Sequence, residues 1–185
     1  MGRSAHRAIG AIVCALVVGG IGQSARAASV TYTINANGIK EVSVAGVPNG
    51  DPDGTAVGTI VLDNGTGTGN TGTAVFNLVL SNLDLTDLRG HHIHQAAPTT
   101  TGPIRVDFGD PDTILVSGNQ LSGTVTGLPT DWINTVFASP TGFYYNLHNG
   151  IYPPGAVRDQ LTPEPGIAGL LAVGAVGLLR RRRRA

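Results

Sequence analysis

Histidine is the residue type in this sequence whose placement points to chemistry. Four of the five histidines fall into two short segments, with His91, His92 and His94 in one and His148 in the other. Neutral imidazole nitrogens are ligands for copper and zinc, and two strand residues separated by one position project to the same side. His92 and His94 therefore form a candidate ligand pair. A neighbouring strand that carries His148 would complete a three-nitrogen site for copper or zinc.

The neighbours of these histidines predict which way each ring points. Because side chains alternate along a strand, His91 falls on the face opposite to the candidate ligand pair, so we interpret it as a packing or loop residue. In the later segment His148 shares its face with Tyr144 and Asn146, two candidate outer partners of the site. If the apolar faces of both strands point to the core, three imidazoles emerge together on the outer side.

The same histidines also have a purely structural interpretation, which the residues alone leave open. In that interpretation the rings hydrogen-bond nearby loops from the polar face of a sheet, while Arg105 and Arg158 bind aspartates at the strand ends. The sequence contains no recognisable Ser-His-Asp or Cys-His arrangement, so no catalytic residues are predicted.

Short strands separated by glycine-rich turns have to position these residues. The segments are closely spaced and rich in β-branched residues, which predicts an all-β fold built as an antiparallel sandwich or barrel. One short helix is predicted at 130–137, ended by Pro140, and we interpret Trp132 within it as a core residue. The predicted strands span residues 30–36, 40–45, 56–63, 73–80, 89–95, 104–108, 113–117, 120–126, 143–148 and 156–161.

Two motif-like stretches are interpreted as turns between these strands. Residues 67–72 match the GxGxxG pattern, yet a strand rather than a helix follows them, so we predict a hairpin loop. Residues 51–54 resemble the start of a calcium loop, but Leu62 stands where an EF-hand has its bidentate glutamate. Neither stretch is therefore predicted to bind a ligand.

The beginning of the chain predicts export. Basic residues precede an apolar stretch at 8–21, and the small residues Ala25 and Ala27 fit the site that signal peptidase reads. We therefore predict a signal peptide with an apolar helix over residues 1–27, followed by one domain over residues 28–162. The single cysteine lies inside this leader, so no disulfide is expected in the domain.

The last 23 residues combine a polar tripeptide, a charge-free apolar run at 166–179 and a terminal basic cluster. As a helix, the apolar run spans about 21 Å, which is short of the roughly 30 Å hydrocarbon core of a bilayer. The basic cluster would stay on the cytoplasmic side, which leaves everything before the tail outside. We predict a sorting signal over residues 163–185, with its key residues at Pro163, Glu164, Pro165, Arg180, Arg181, Arg182, Arg183 and Arg184.

This tail resembles the PEP-CTERM sorting signal, whose three parts occur in the same order. The resemblance implies that an exosortase-type membrane enzyme recognises and removes the tail in a Gram-negative-type bacterium. It also implies transient association with the inner membrane through the short apolar C-terminal helix. Delivery to the cell surface or extracellular matrix would follow.

Residues 28–162 are acidic once both ends are set aside. They contain four basic and eleven acidic residues, for a formal charge of −7. A surface of this kind repels nucleic acid, which excludes nucleic acid as an expected partner. About 135 residues suit a single domain that buries a core without disulfides.

The histidine segments and an acidic turn carry a second resemblance, over residues 30–161. These stretches resemble the CHRD domain, a module named after chordin and found in many bacterial exported proteins. The resemblance implies a β-sandwich of immunoglobulin-like or related topology, and it brings no established catalytic residues. The segments that carry it are residues 50–54, 90–95, 102–103, 145–148 and 154–161.

The order of the histidines is also similar to that in copper/zinc superoxide dismutase, which has a Greek-key sandwich. In that pattern His92, His94 and His148 correspond to copper ligands, and Arg158 corresponds to the arginine that guides the anionic substrate. The chain departs from the pattern in three ways. It has no histidine between His94 and His148 to bridge two metals, no cluster of zinc ligands, and no disulfide.

These features together predict an exported, non-enzymatic CHRD module. We expect it to act by binding or structural interaction, with surface proteins or exopolysaccharide as candidate partners and one optional histidine metal site. The alternative is a small extracytoplasmic copper/zinc metalloprotein with superoxide dismutase-like redox chemistry.

Overall fold

The computed structural model describes residues 27–66, 69–110 and 115–164. The predicted signal peptide with Ala25, and the tail from Pro165 through its apolar run and arginines, lie outside these ranges. Within the described ranges, no helix is long and apolar enough to cross a membrane.

Antiparallel strands make up about half of the described residues. They are β1 (Ser29–Asn37), β2 (Thr55–Asp63), β3 (Gly72–Ser81), β4 (Leu88–Gln95), β5 (Ile104–Asp107), β6 (Leu115–Ser117), β7 (Gln120–Leu128), β8 (Phe143–Asn149), β9 (Val157–Gln160) and β10 (Thr162–Pro163), with one helix, α1 (Thr130–Ala138). The all-β prediction is confirmed, and the strand bounds agree with the predicted ones to within a few residues at most positions.

The strands form one continuous sheet that curls into a nearly closed barrel or sandwich. Its order is β5-β4-β8-β9-β1-β2-β3-β7-β6, and β10 pairs with β1. The first three strands form a meander, whereas β8 and β9 return late in the chain to fill the space between β4 and β1. This return brings the two histidine segments side by side, because β4 and β8 pair directly.

The core forms from the alternate residues of each strand. On β3, Ala74, Phe76, Leu78 and Leu80 are at most 1% exposed, and the residues between them face outward. On β8, Tyr145 and its apolar neighbours point into the same core. The alternation predicted from sequence is therefore the alternation that the fold uses.

One predicted strand is wrong. Residues 40–45 do not form a strand; a 3-10 turn spans Gly38–Lys40, and the following loop makes only a single isolated bridge, Val42 to Pro48. Glu41 and Val42 are consecutive and both buried, at 1% and 7% exposed, so this segment lacks the alternation of a surface strand.

The two motif-like stretches lie in connections, as predicted. In residues 51–54 the Gly54 amide donates to the Asp51 carbonyl over 3.2 Å, which closes a turn. For the stretch 67–72, β2 and β3 are joined antiparallel on either side of it, with Gly72 as the first residue of β3, and residues 67 and 68 lie outside the described ranges. The predicted helix is also present, although Pro129 at its N-cap makes no side-chain capping bond.

Candidate metal centre

Strand pairing brings the three candidate ligands together. His92 and His94 lie on β4, and His148 lies on β8 opposite Gly90. The ring centroids are 5.0 to 5.7 Å apart, and one ligand nitrogen from each ring lies within 4.8 Å of the others. The side-chain alternation read from the sequence therefore placed these three rings on one side of the sheet correctly.

Two main-chain carbonyls determine the tautomers of His94 and His148. The Nδ1 atom of His94 lies 2.8 Å from the carbonyl oxygen of Gly102, and that of His148 lies 2.9 Å from the carbonyl oxygen of Pro153. Because a carbonyl only accepts, we assign the proton to Nδ1 in both rings. Both Nε2 atoms then carry a lone pair, and both are buried with no hydrogen-bond partner among the described residues. Metal-binding histidines have this arrangement.

In His92 the nitrogen without a partner among the described residues is Nδ1, whereas in His94 and His148 it is Nε2. The Nε2 atom of His92 lies 3.4 Å from a carboxylate oxygen of Asp107, and its Nδ1 atom is buried without a partner in the described part of the chain. Space for the ring depends on Gly90, where a Cβ would lie 2.9 Å from the Cε1 atom of His92. Gly90 also has φ +145, a backbone conformation that side chains disfavour.

Burial keeps the three rings neutral at pH 7. It lowers the pKa of His94 to about 4, and it lowers the pKa values of His92 and His148 as well. The neighbouring His148 adds to the lowering at His92, whereas Asp107 opposes it. Neutral imidazole is the form that binds a metal, so this cluster needs no deprotonation before binding near neutral pH.

The spacing allows one metal ion after a small closure. In a tetrahedral site with metal–nitrogen bonds of about 2.05 Å, ligand nitrogens lie about 3.3 Å apart. The observed separations extend to 4.8 Å, so binding has to draw the rings together. Three neutral imidazoles suit copper or zinc and leave a further coordination position open.

The prediction that this face is an exposed outer surface is wrong. Tyr144, Asn146 and Arg158 are each 1% exposed, and His94 is 8% exposed. Loops and turns cover the face, because the carbonyls that accept from the histidines and from Arg158 all belong to residues 97–102 and 153. A second, polar layer is therefore buried on the side of the sheet away from the apolar core.

Glu41 belongs to this polar layer and was assigned no role from the sequence. One of its carboxylate oxygens accepts from the Nδ2 atom of Asn146 over 2.9 Å, so the side chain of Asn146 hydrogen-bonds a carboxylate. Burial raises the pKa of Glu41, and the positive charge of Arg158 opposes that rise. The only signal in the sequence was that Glu41 is the single glutamate of residues 28–162.

Arg158 does not have either of the roles expected for it. Its Nη1 and Nη2 atoms donate to the carbonyl oxygens of Thr100 and Ala97, each over 2.8 Å. A buried guanidinium whose terminal nitrogens are both engaged cannot guide an anion from solvent. The adjacent Asp159 instead pairs with Lys40 at 2.7 Å.

Arg105 likewise differs from expectation. It donates to the side-chain oxygen of Gln95 and lies 4.0 Å from the ring centroid of Trp132. Trp132 itself is partly buried against the core, in line with its predicted packing role.

His91 is a core residue, as its position on the strand predicted. It is 0% exposed, and its ring lies 4.7 Å from that of Phe76 and 5.1 Å from that of Phe108. Neither ring nitrogen has a hydrogen-bond partner within the ranges that the structure describes. His91 therefore belongs to the packing of the domain and not to the cluster.

A cleft of about 310 Å³ adjoins the cluster at His94. Tyr144 and Gly102 form part of its wall, and Val42 and Pro154 form another part. Of the three clustered histidines, His94 is the one that lines this cleft.

Family comparison agrees with the resemblance read from the sequence. No curated protein and no solved structure matches the chain. Residues 26–161 match the CHRD domain, a span that covers more than half of the 185 residues and includes all three clustered histidines. The chain belongs to the CHRD domain family.

Proposed function

We propose that this protein is an exported CHRD module that acts by binding at the cell surface or in the extracellular matrix, and that it holds one copper or zinc ion. The observation that supports a metal is the cluster of His92, His94 and His148, in which each ring has a buried nitrogen without a partner among the described residues. Leaving such acceptors buried without partners costs about 1–3 kcal/mol each. A metal ion would satisfy all three together.

Binding is favoured over redox turnover by the position of Arg158. The guanidinium of Arg158, which would have to attract an anionic substrate, belongs to a residue that is only 1% exposed, and it donates hydrogen bonds to two carbonyl oxygens. The alternative, a copper protein with redox chemistry, draws its support from the all-imidazole ligand set, which suits copper. Both versions require the same metal site, so one experiment distinguishes them.

That experiment measures metal content and superoxide turnover in the exported protein. After removal of bound metal and loading with copper or zinc, we expect about one equivalent in the wild type and less than 0.1 equivalent in a His92→Ala, His148→Ala double variant. His91→Phe is the matched control, since it removes a histidine from the same strand but from the opposite face, and it should retain one equivalent. Wild-type retention below 0.1 equivalent would rule out the metal site. Stoichiometric copper with turnover would favour the redox alternative.

Export and sorting form the second part of the proposal. We propose removal of residues 1–27 by signal peptidase and of the tail by an exosortase-type enzyme after transient attachment to the inner membrane. The first strand begins at Ser29, so cleavage after Ala27 would remove no strand. Intact-mass measurement of the protein from its host should show loss of the leader and of all five terminal arginines. Mature protein that keeps the arginines would contradict sorting.

A further inference from the structure

We infer that Arg158 and Tyr144 are positioning residues for the metal ligand His94, and that they couple the metal centre to the loop of residues 96–103. The inference rests on the proposed metal site. It concerns the residues that orient the ring of His94, a role that neither the CHRD match nor the histidine spacing assigns.

The first link is a stack of three side chains. The rings of His94 and Tyr144 lie 5.0 Å apart between centroids and are nearly parallel, at 11°. On the Tyr144 ring lies the guanidinium of Arg158, with its Cζ atom 3.4 Å from the ring centroid. Tyr144 and Arg158 are each 1% exposed, so the ring of His94 rests against a layer with little freedom to move.

The second link runs through the loop of residues 96–103. Arg158 binds the carbonyl oxygens of Ala97 and Thr100, and Gln160 binds the carbonyl oxygen of Ala96 over 2.8 Å. The loop is therefore fastened to β9 at three carbonyls. Its Gly102 then accepts from Nδ1 of His94.

Gly102 hydrogen-bonds both Tyr144 and His94. Its amide donates to the Tyr144 hydroxyl over 3.4 Å, while its carbonyl binds His94. A Cβ at Gly102 would contact the Gln95 carbonyl, so this close approach requires glycine. Arg158 thus acts on His94 by two routes, directly through the Tyr144 ring and indirectly through the loop.

Arginine is the side chain that can make both connections at once. Its planar guanidinium stacks on an aromatic face and at the same time donates in two directions, whereas a lysine ammonium has no plane to stack. In Arg158→Lys the loop should loosen and the Gly102 carbonyl should release Nδ1. The ring of His94 could then take either tautomer or rotate.

This loss should weaken metal binding. Removing the partner that orients a ligating histidine typically lowers metal affinity 10- to 100-fold. By reciprocity of linkage, metal at Nε2 should stabilise the loop by the same factor, because the loop binds the opposite nitrogen of that ring. Metal binding should therefore slow amide exchange across residues 96–103.

The test compares Arg158→Lys with Arg105→Lys in the exported protein. Arg105 is the matched control, since it also lies over an aromatic ring, that of Trp132, and donates to a side chain on β4 that faces away from His94. Three quantities are measured: copper or zinc affinity by competition, the tautomer of His94 in the metal-free protein by nitrogen NMR, and amide exchange in the loop. We expect Arg158→Lys to lose 10- to 100-fold in affinity, mix the tautomers and speed loop exchange. Arg105→Lys should match the wild type.

Wild-type affinity and a single His94 tautomer in folded Arg158→Lys would overturn the inference. If the wild type binds no metal, the proposed metal site fails, and the tautomer and loop exchange of the metal-free proteins then decide the positioning role alone. Should Arg158→Lys not fold, Tyr144→Leu decides in the same way because it removes the ring between Arg158 and His94. Tyr144→Phe keeps the ring stack and removes only the hydroxyl that accepts from the Gly102 amide, so it should lose less metal affinity than Tyr144→Leu; an equal loss in the two variants would refute the direct route through the ring.

Discussion

Acidification should destabilise this fold through His91, and His91→Phe is the substitution that tests it. Burial lowers the pKa of His91 in the folded protein to about 3, with a smaller contribution from the neighbouring His92. In the unfolded chain the pKa returns to about 6.5. Between these two pKa values the unfolded state binds one more proton than the folded state. The free energy of unfolding is therefore unaffected by His91 above about pH 6.5 and falls as the pH drops toward 3.

The size of the effect follows from the two pKa values. Each pH unit inside this window costs about 1.4 kcal/mol for one group. Because pH 4 lies about 2.5 pH units below 6.5, the free energy of unfolding at pH 4 is lower by about 3 kcal/mol from His91 alone. This loss is a large fraction of the 5–15 kcal/mol by which domains are usually stable.

The assay is urea unfolding of the wild type and His91→Phe at pH 7 and pH 4, with a chelator present so that metal release does not contribute. The quantity compared is the loss of unfolding free energy between the two pH values. All other titrating groups are shared and cancel, and any misfit of the larger ring cancels as well. The wild type should lose about 3 kcal/mol more than the variant.

A pH-dependent loss that is the same in both proteins, within about 0.5 kcal/mol, would refute this reasoning. It would mean that His91 is protonated in the folded state or reached by water. His91→Leu, which adds no ring, should behave like His91→Phe and guards against a variant-specific packing change.

Two further predictions concern single side chains. Gly90→Ala should lower metal affinity at least 10-fold in a competition assay, because its Cβ would push on the ring of His92. Gly109→Ala is the control, since its φ is also positive at +87 while a Cβ there meets no atom of the described residues within 4 Å; it should lose stability but keep the affinity. Lys40→Met breaks the ion pair with Asp159. The lysine side chain is 42% exposed and the aspartate side chain 14%, and Asp159 keeps its hydrogen bond from the Asn35 amide, so the loss in urea unfolding should be about 1 kcal/mol; a loss above about 2 kcal/mol would show that Asp159 depends on Lys40 as a buried charge does.

The strands and the facing of their side chains could be predicted because a strand has a period of two. That period separated His91 from His92 and His94 before any fold was known, and the structure places His91 in the core and the other two in the cluster. The same reasoning failed at residues 40–45. There Glu41 and Val42 are both buried, and Glu41 accepts a hydrogen bond from Asn146, 105 residues away in the chain; a contact between such distant segments leaves no local pattern to read.

The amino-acid sequence by itself determined the β-rich class of this domain, the parity of its histidines and the acidic charge of residues 28–162, because these depend on local periodicity and composition. Only the tertiary structure decided that β8 and β9 lie between β4 and β1, which sets His148 beside His92 and buries Arg158 against Tyr144. Strand order and loop cover arise from contacts between distant segments, whose free energies no local pattern encodes. The predicted export and sorting signals at the two ends rest on local patterns, whereas the shape of the histidine cluster is a property of the assembled sheet.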